Sequence, residues 1–540
     1  MRNNIILSII IILGIFSLFI NVGSYGAIET SDARYAEISR EMYLSGDYIH
    51  PNLLNIHHYH KPPLTYQITA LGYSLFGINT FGARFFLQLA LIMQTVLIYF
   101  LSLALFNDRK SALFASIIYF SFPIVLASTR TLTTDAFLTT FIILSIYSWV
   151  KYRQQGLYRF LYLFTLSLAL GMLTKGPVVF IVPLSFILVY NRIAKSKNKA
   201  GFHHLLAWML FAIIGFSWYI YLVIQNPSLL DYFLIRQTAE RFAKDVFNRH
   251  EPFWYFIVYA PLLGFPWSFL LPYLCKYNKG FVSFKSSYFA LITGIILPLI
   301  FFSLSSSKLI LYILPLYSLL SVLTAQMLNN LPDEKAGTIN KAVYVYALLI
   351  AGTFISSLFL KNEFHFPLTL GLTGIILIPI LIFIYKTKLI DLKFKTVCLS
   401  LIISISLLTG SGFYLYSDDL SAGKSSKIIA DFILQNSLNE RNILVYNILK
   451  PSISFALNKS IITLNDGSKK LIRETSFEQN CDWKKYLIDL KNEDEIKYLK
   501  QILNEPSILI TYKHPISENN KWILSYFKNQ ECFEKWTIYW

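Results

Sequence analysis

Charge is what this 540-residue chain has least of. Asp, Glu, Lys and Arg together make up 15% of it, against about 25% in soluble globular proteins. With 55% hydrophobic and 16% aromatic residues, that scarcity excludes an ordinary soluble domain and places the chain among membrane proteins. Acid is scarcer than base, 31 residues against 48, which leaves a formal net charge of +17. An excess of base can signal a nucleic-acid partner, but here its placement argues otherwise. Arg109/Lys110, Lys151/Arg153/Arg159, Arg192/Lys195/Lys197/Lys199, Lys276/Lys279/Lys285 and Lys386/Lys388/Lys393/Lys395 fall in alternate connections between apolar runs. Such alternation is the positive-inside pattern of a multi-pass protein, so no nucleic-acid partner is expected. Cysteine is also sparse. Cys275 and Cys398 fall at membrane-helix positions, while Cys481 and Cys532 lie in the final segment, where either a disulfide or two unpaired thiols is compatible with an external location.

The apolar runs are plentiful. About thirteen stretches of roughly 17–25 residues are long enough to cross a hydrocarbon core of ~30 Å: 4–26, 85–106, 111–128, 135–151, 159–174, 176–192, 204–225, 254–275, 287–303, 309–329, 341–360, 366–385 and 396–416. The first is too long for a signal-peptide core and lacks a small-residue cleavage site, so it reads as a retained helix. The expected fold class is therefore a polytopic α-helical membrane protein with a cytoplasmic N-terminus. After an odd number of crossings, the C-terminal segment lies outside. From about residue 417 the composition changes: charges become frequent, and short apolar runs such as "NILVYNI", "SIITL" and "SILITY" alternate with a helical stretch at 424–436. That alternation predicts a small α/β domain over 417–540, beside a transmembrane domain over 1–416 with external loops 27–83 and 226–253.

The first loop is unexpectedly rich in ionisable groups. In "ETSDARYAEISREM" (29–42), Tyr35, Ile38 and Met42 recur at helical spacing, with Glu and Arg on the other faces. Thr30 or Ser31 is expected to cap this helix, and Asp32 suits the positive end of its dipole. The pattern predicts a short helix lying on the membrane surface, and loop 226–253 reads similarly. Further polar patches are "HHYHKPP" (57–63), "RHEPFWYF" (249–256), "TLTTDAF" (131–137), "LTKGP" (173–177) and "SSSKLILYILP" (305–315). Ionisable groups near a membrane are costly unless they face a cavity or a partner, so they are functional candidates by default. Each has a plainer reading. Asp32 and Asp135 serve equally as helix-start residues, Lys61 as a snorkelling lysine, and His57, His58 and His60 as surface histidines. Against that, Pro62-Pro63 stiffens the chain after Lys61, which suits an anion clamp. All the patches also fall on one side of the predicted membrane.

The stretch "SDARYAEISREMYLSGDYIHPNLLNIHHYHKPPLTYQITALGYSLFG" resembles the first external loop of the lipid A aminoarabinose transferases. These belong to the membrane glycosyltransferases of GT-C type that use polyprenyl-phosphate sugars and include the protein O-mannosyltransferases. "TKGP", "RHEPFWYF" and "SKLILYILP" match in the same order. The resemblance implies a bacterial inner-membrane enzyme that takes a sugar from a polyprenyl-phosphate donor, with the C-terminal α/β domain in the periplasm. The implied acceptor is lipid A, or alternatively a protein or another envelope glycan, and a lipid-sugar transporter is the non-enzymatic alternative. It further implies that Arg34, Lys61, Lys175 and Tyr312 surround the lipid phosphate and that Asp135 is a functional acid. A divalent metal is implied at the positions of His60 and His250, and two imidazoles favour zinc. The sequence departs from the family at one place: the first of two acids before Ala-Arg-Tyr is Ser31, which leaves Asp32 and Glu29 as the nearby candidate catalytic carboxylates. A sugar or serine hydroxyl needs a general base, worth about 10²–10⁴ in rate, whereas an ionised phosphate needs none. Loss of that acid therefore favours the phosphate of lipid A as acceptor.

Overall fold

A computed structural model describes residues 2–540 apart from 195–199, 241–250, 279–285, 361–365, 388–390, 417–424, 469–470, 472, 474 and 534. The chain divides into two compact units, Met1–Ile20 with Phe85–Tyr414, and Asn21–Arg84 with Leu415–Trp540.

The first unit is helical. Every one of the thirteen apolar runs carries helix. Six helices among the described residues are long and apolar enough to cross a membrane: Thr80–Phe106, Phe202–Gln225, Ser287–Leu304, Asp333–Ser356, Leu368–Lys386 and Leu392–Leu415. Tyr255–Leu263 and Trp267–Tyr277 meet at 86° and add a seventh if counted as one broken span. The other runs carry shorter or more polar helices, such as Thr134–Gln155 and Tyr158–Lys175. Some polar side chains inside this unit pair with one another or with the backbone, as the absence of water favours. Gln94 Nε2 donates to the Ala136 carbonyl (2.7 Å), and Tyr119 donates its hydroxyl to Gln94 Oε1 (2.6 Å). Helices Asp333–Ser356 and Leu368–Lys386 approach so closely at Gly374 that a Cβ there would stand 2.8 Å from the Ala351 carbonyl oxygen. Small residues permit such approaches in membranes.

The second unit joins two distant parts of the chain in one core. Helix Ser31–Ser45 packs on helix Leu64–Phe76, where Tyr73 donates its hydroxyl to the Ala36 carbonyl (2.9 Å) and Tyr35 stacks on Tyr66 (5.3 Å between centroids). A tight hairpin pairs β1 (Asn52–Leu53) with β2 (Ile56–His57). The C-terminal part is a six-stranded sheet ordered β5-β4-β3-β6-β8-β7. Its strands are β3 (Asn442–Tyr446), β4 (Ile462–Asn465), β5 (Leu487–Asp489), β6 (Ser507–Tyr512), β7 (Gln530–Phe533) and β8 (Trp536–Tyr539). The first four are mutually parallel, and β8 and β7 complete the edge antiparallel. β3 and β6 are buried along nearly their whole length, as parallel strands covered on both faces are. Ile38, Met42, Leu53 and Leu54 of the first loop share a cluster with Ile429, Ile443, Ile453 and Ile510 of the C-terminal part.

Two expectations about the first loop are corrected. Thr30 holds the N-cap position of helix Ser31–Ser45 but its side chain makes no capping bond; instead Asp32 Oδ2 accepts the N–H of Ile28 (2.9 Å). Nor does the helix leave its charged faces to solvent. Asp32, Glu37 and Arg40 are buried, because each charge meets an opposite one inside the unit. In the second loop, helix Ser228–Asp231 continues as a π-helix over Tyr232–Glu240, and the rest lies outside the described residues as far as His250. All four cysteines are free, with Cys481 and Cys532 exposed, so no disulfide joins them.

Candidate functional site

Within the second unit, Asp32 is held by an arginine that no local motif announces. Arg84 Nη2 lies 2.5 Å from Asp32 Oδ2, and Nε lies 3.2 Å from Oδ1. Its other donors go to the carbonyls of Val22 (3.0 Å), Tyr25 (3.1 Å) and Gly26 (3.0 Å), so all five guanidinium N–H groups are used. The guanidinium also lies 3.9 Å from the centre of the Tyr25 ring. Residues 22–32 are thereby tied into one loop, with Asp32 only 1% exposed.

One turn on, Glu37 and Arg40 form a two-bond ion pair (2.7 and 2.8 Å). Ser454 donates to Glu37 Oε1 (2.7 Å), and Arg40 also reaches Ser454 (3.2 Å) and Asn458 (3.3 Å). Glu41 lies beside this pair, and its Oε2 accepts the Asn55 N–H (3.0 Å). Burial first, and then the Glu37 charge, hold the Glu41 carboxyl well above the usual carboxylate range. Glu29 reaches the C-terminal part as well, accepting the Ser452 N–H at Oε1 (3.0 Å). Burial raises its carboxyl, while the Ser452 hydrogen bond and the charges of Lys450 and Arg34 work in the opposite direction. Lys450 itself is buried, 4.1 Å from the Tyr512 ring centre and 4.8 Å from that of Trp536.

The sharpest electrostatic feature of this unit surrounds His58. The ring is 6% exposed and lies against His60, with centroids 3.9 Å apart and the rings tilted by 32°. Burial, and then the charges of His60, Arg34, Arg473 and Lys61, hold its imidazole well below the usual range. Arg473 donates to the carbonyls of Leu53 (2.9 Å) and Ile56 (3.3 Å), which fixes it against the hairpin. Arg34 Nε is buried and has no hydrogen-bond partner among the described residues. A cation with a buried, unused donor, surrounded by more cations, is an environment that an anion would complete.

The first unit brings together three of the sequence candidates. Thr133 Oγ1 accepts the N–H of Asp135 at the start of helix Thr134–Gln155. Asp135 forms an ion pair with Lys175, at the end of helix Tyr158–Lys175. The Lys175 ammonium in turn stands 4.3 Å from the centre of the Tyr312 ring, a cation–π distance. Lys308 donates to the carbonyls of Glu251 and Ser305, both at 2.6 Å, and so ties its own turn to the chain at residue 251. Arg130, also absent from the sequence candidates, donates to the carbonyls of Ser17, Leu18, Ile20 and Leu408 and closes the end of the first helix. Its only sequence signal is a charge beside an apolar run.

Among the described residues no group of three or more His, Cys, Asp or Glu side chains is gathered to hold a metal, and His250 lies outside them. A zinc centre needs at least three protein ligands, and of the two that the resemblance implies only His60 is among the described residues.

Residues 3–233 match the family model described as dolichyl-phosphate-mannose-protein mannosyltransferase. A protein of Aeromonas salmonicida (strain A449), named undecaprenyl phosphate-alpha-4-amino-4-deoxy-L-arabinose arabinosyl transferase, is 33% identical over 310 residues, 56% of either chain. An uncharacterized protein of Aquifex aeolicus (strain VF5) is 26% identical over 356 residues, 65% of this chain and 69% of that one. The chain therefore spans little more than half the length of the first curated relatives it matches. The crystal structure of ArnT from Cupriavidus metallidurans bound to undecaprenyl phosphate superposes with a TM-score of 0.78 at 17% identity, covering 99% of this chain and 97% of that one. The same protein in its apo state gives 0.77.

Proposed function

We propose that this chain, which has the polytopic helical fold of ArnT, is a glycosyltransferase that moves an aminoarabinose-like sugar from a polyprenyl-phosphate donor to lipid A. The observation that carries this reading is the Arg34–His58 environment, where a buried guanidinium N–H lacks a hydrogen-bond partner beside Lys61, His60 and Arg473. In the proposal, Arg34 and Lys61 bind the donor phosphate. Neutralising that phosphate makes it a better leaving group as the acceptor attacks the anomeric carbon.

The acids favour an acceptor that arrives already ionised. Asp32 accepts two bonds from Arg84 and one from Ile28, and Asp135 is paired with Lys175. Carboxylates so engaged already have their oxygens occupied, and a lipid A phosphate needs no base. We assign Asp32 to positioning of the 22–32 loop and Asp135 to positioning of Lys175. Glu29, with its raised carboxyl, is the remaining candidate base. The proposal keeps thirteen crossings, a cytoplasmic N-terminus and a periplasmic C-terminal α/β domain, in a bacterial inner membrane. Helix in each apolar run supports it. A metal at His60 and His250 is a separate proposal that carries no step of the transfer; metal content that survives unchanged in His60→Ala would end it. The family-model match over 3–233 favours a second reading, transfer to a protein hydroxyl.

Mass spectrometry of lipid A, from cells lacking the gene and then carrying wild type or Arg34→Gln, tests the reading. A sugar-sized mass that disappears and returns fully only with wild type is expected. Arg34→Gln should restore about a tenth or less, since a charge-assisted bond contributes about 1.5–3 kcal/mol. Unchanged lipid A in the deletion strain overturns the lipid A acceptor, and a loss confined to glycoproteins selects the second reading.

A further inference from the structure

The first unit contains a cavity of about 410 Å³ lined in part by Phe100, Leu103, Asn107, Tyr147, Lys151 and Gln154. It lies where helices Thr80–Phe106 and Thr134–Gln155 both end. Helix ends present bare carbonyls that draw cations toward themselves, but here one such carbonyl and the neighbouring arginine are already engaged. Gln154 Nε2 bonds the Ala104 carbonyl (2.6 Å), and Arg153 bonds those of Ala194 and Asn191. Asp108, the nearest acid in sequence, accepts from the Lys110 and Ser111 N–H groups and from Asn329. The half-buried Lys151 ammonium and the Tyr147 hydroxyl have no hydrogen bond or ion pair among the described residues, so one positive charge and one polar donor look onto the cavity unspent.

The way in is apolar. Leu89, Met93, Val96 and Phe100 are exposed at 38%, 52%, 49% and 44% and recur at helical spacing on Thr80–Phe106, one of the helices able to cross a membrane. They form a single lipid-facing stripe that runs into the cavity at Phe100. We propose that this cavity binds the headgroup of an anionic glycerophospholipid, its phosphate at Lys151, Asn107 and Tyr147 and an acyl chain along the Leu89–Phe100 stripe. Basic pockets between membrane helices commonly select such headgroups. The inference does not depend on the transfer reaction.

Native mass spectrometry of the full chain in detergent, titrated with phosphatidylglycerol or with phosphatidylcholine of the same acyl chains, reads the site. Phosphatidylglycerol should be retained in preference. Lys151→Gln should weaken its retention about five-fold, the worth of one lysine near a lipid surface. Tyr147→Phe removes only a hydroxyl and should weaken it about two-fold. Arg34→Gln should leave it unchanged, which separates this site from the proposed donor phosphate site. Equal retention of phosphatidylglycerol by wild type, Lys151→Gln and Tyr147→Phe overturns the proposal, as does equal retention of the two lipids by wild type.

Discussion

Glu41 is a carboxyl in a place that suits its neutral form. It is buried beside the Glu37–Arg40 pair, and its own hydrogen bond comes from the Asn55 N–H. Burial and the Glu37 charge raise its folded pKa well above the ordinary 4.5. A raised folded pKa means the folded state holds the proton more tightly than the unfolded chain. The group's stabilising contribution is therefore complete below about pH 4.5, is lost as pH rises from there, and is gone above the folded pKa. Glu41→Gln keeps the acceptor for Asn55 and adds a donor toward Glu37 at every pH. The thermal unfolding midpoint of Glu41→Gln should equal that of wild type at pH 4 and exceed it at pH 8. A variant less stable than wild type at pH 8 would mean that the ionised carboxylate is the form the fold requires. The sequence shows a Glu at helical spacing from Glu37 but not their burial, which depends on residues more than 400 positions away: Ser454 lies 417 from Glu37.

Elements that declare themselves by periodicity were legible, and those fixed by a distant partner were not. The helix over 31–44 and the strands in "NILVYNI", "SIITL" and "SILITY" are present as Ser31–Ser45, β3, β4 and β6, because spacing and β-branched runs act locally. The same reasoning set the helix over 31–44 on a membrane surface, since an amphipathic pattern does not say what covers the polar face. Asp135, Lys175 and Tyr312 were legible as a set only through resemblance. Arg84, Lys450 and Arg473 were missed, because each sits in an unremarkable stretch and acts on residues far along the chain. Arg84 shows the consequence at the level of the element. It joins Thr80–Phe106 to the entrance of Ser31–Ser45 by bonding Asp32, 52 residues away, and three carbonyls before it. Arg84→Met removes both guanidinium bonds to the buried Asp32, a change that costs about 3–5 kcal/mol. Arg84→Lys keeps the charge but not the planar fork and should fall between. Amide exchange across residues 22–32 reads both, and equal protection in all three proteins would remove Arg84 as the clamp of this loop.

For the whole molecule, the consequence is that the second unit is discontinuous in sequence. Asn21–Arg84 and Leu415–Trp540 lie at either end of a 330-residue helical stretch (85–414), yet Ile38 and Met42 share a core with Ile429, Ile433, Ile443 and Ile453. Polar links follow the same division: Glu29 to Ser452, Glu37 to Ser454, Arg40 to Asn458, and Arg473 to the carbonyls of Leu53 and Ile56. Without the C-terminal part, the faces of Ile38 and Met42 return to water, at about 1.5–3 kcal/mol for each side chain. The Glu37–Arg40 pair then keeps only its surface value, typically about 0.2–1 kcal/mol. A chain ending at residue 416 should therefore retain its membrane helices and lose order in Ser31–Ser45. Hydrogen exchange on the two full-length and shortened chains tests this. A loss of about 3 kcal/mol corresponds to exchange about 100-fold faster in that helix, since each ~1.4 kcal/mol is a factor of ten, while helix Leu392–Leu415 keeps its protection. If Ser31–Ser45 stays as protected in the shortened chain, the first loop folds on Leu64–Phe76 alone. The residues placed at the donor phosphate, Arg34 and Lys61, would then owe their arrangement to 63 residues of local sequence (22–84) and not to the C-terminal sheet.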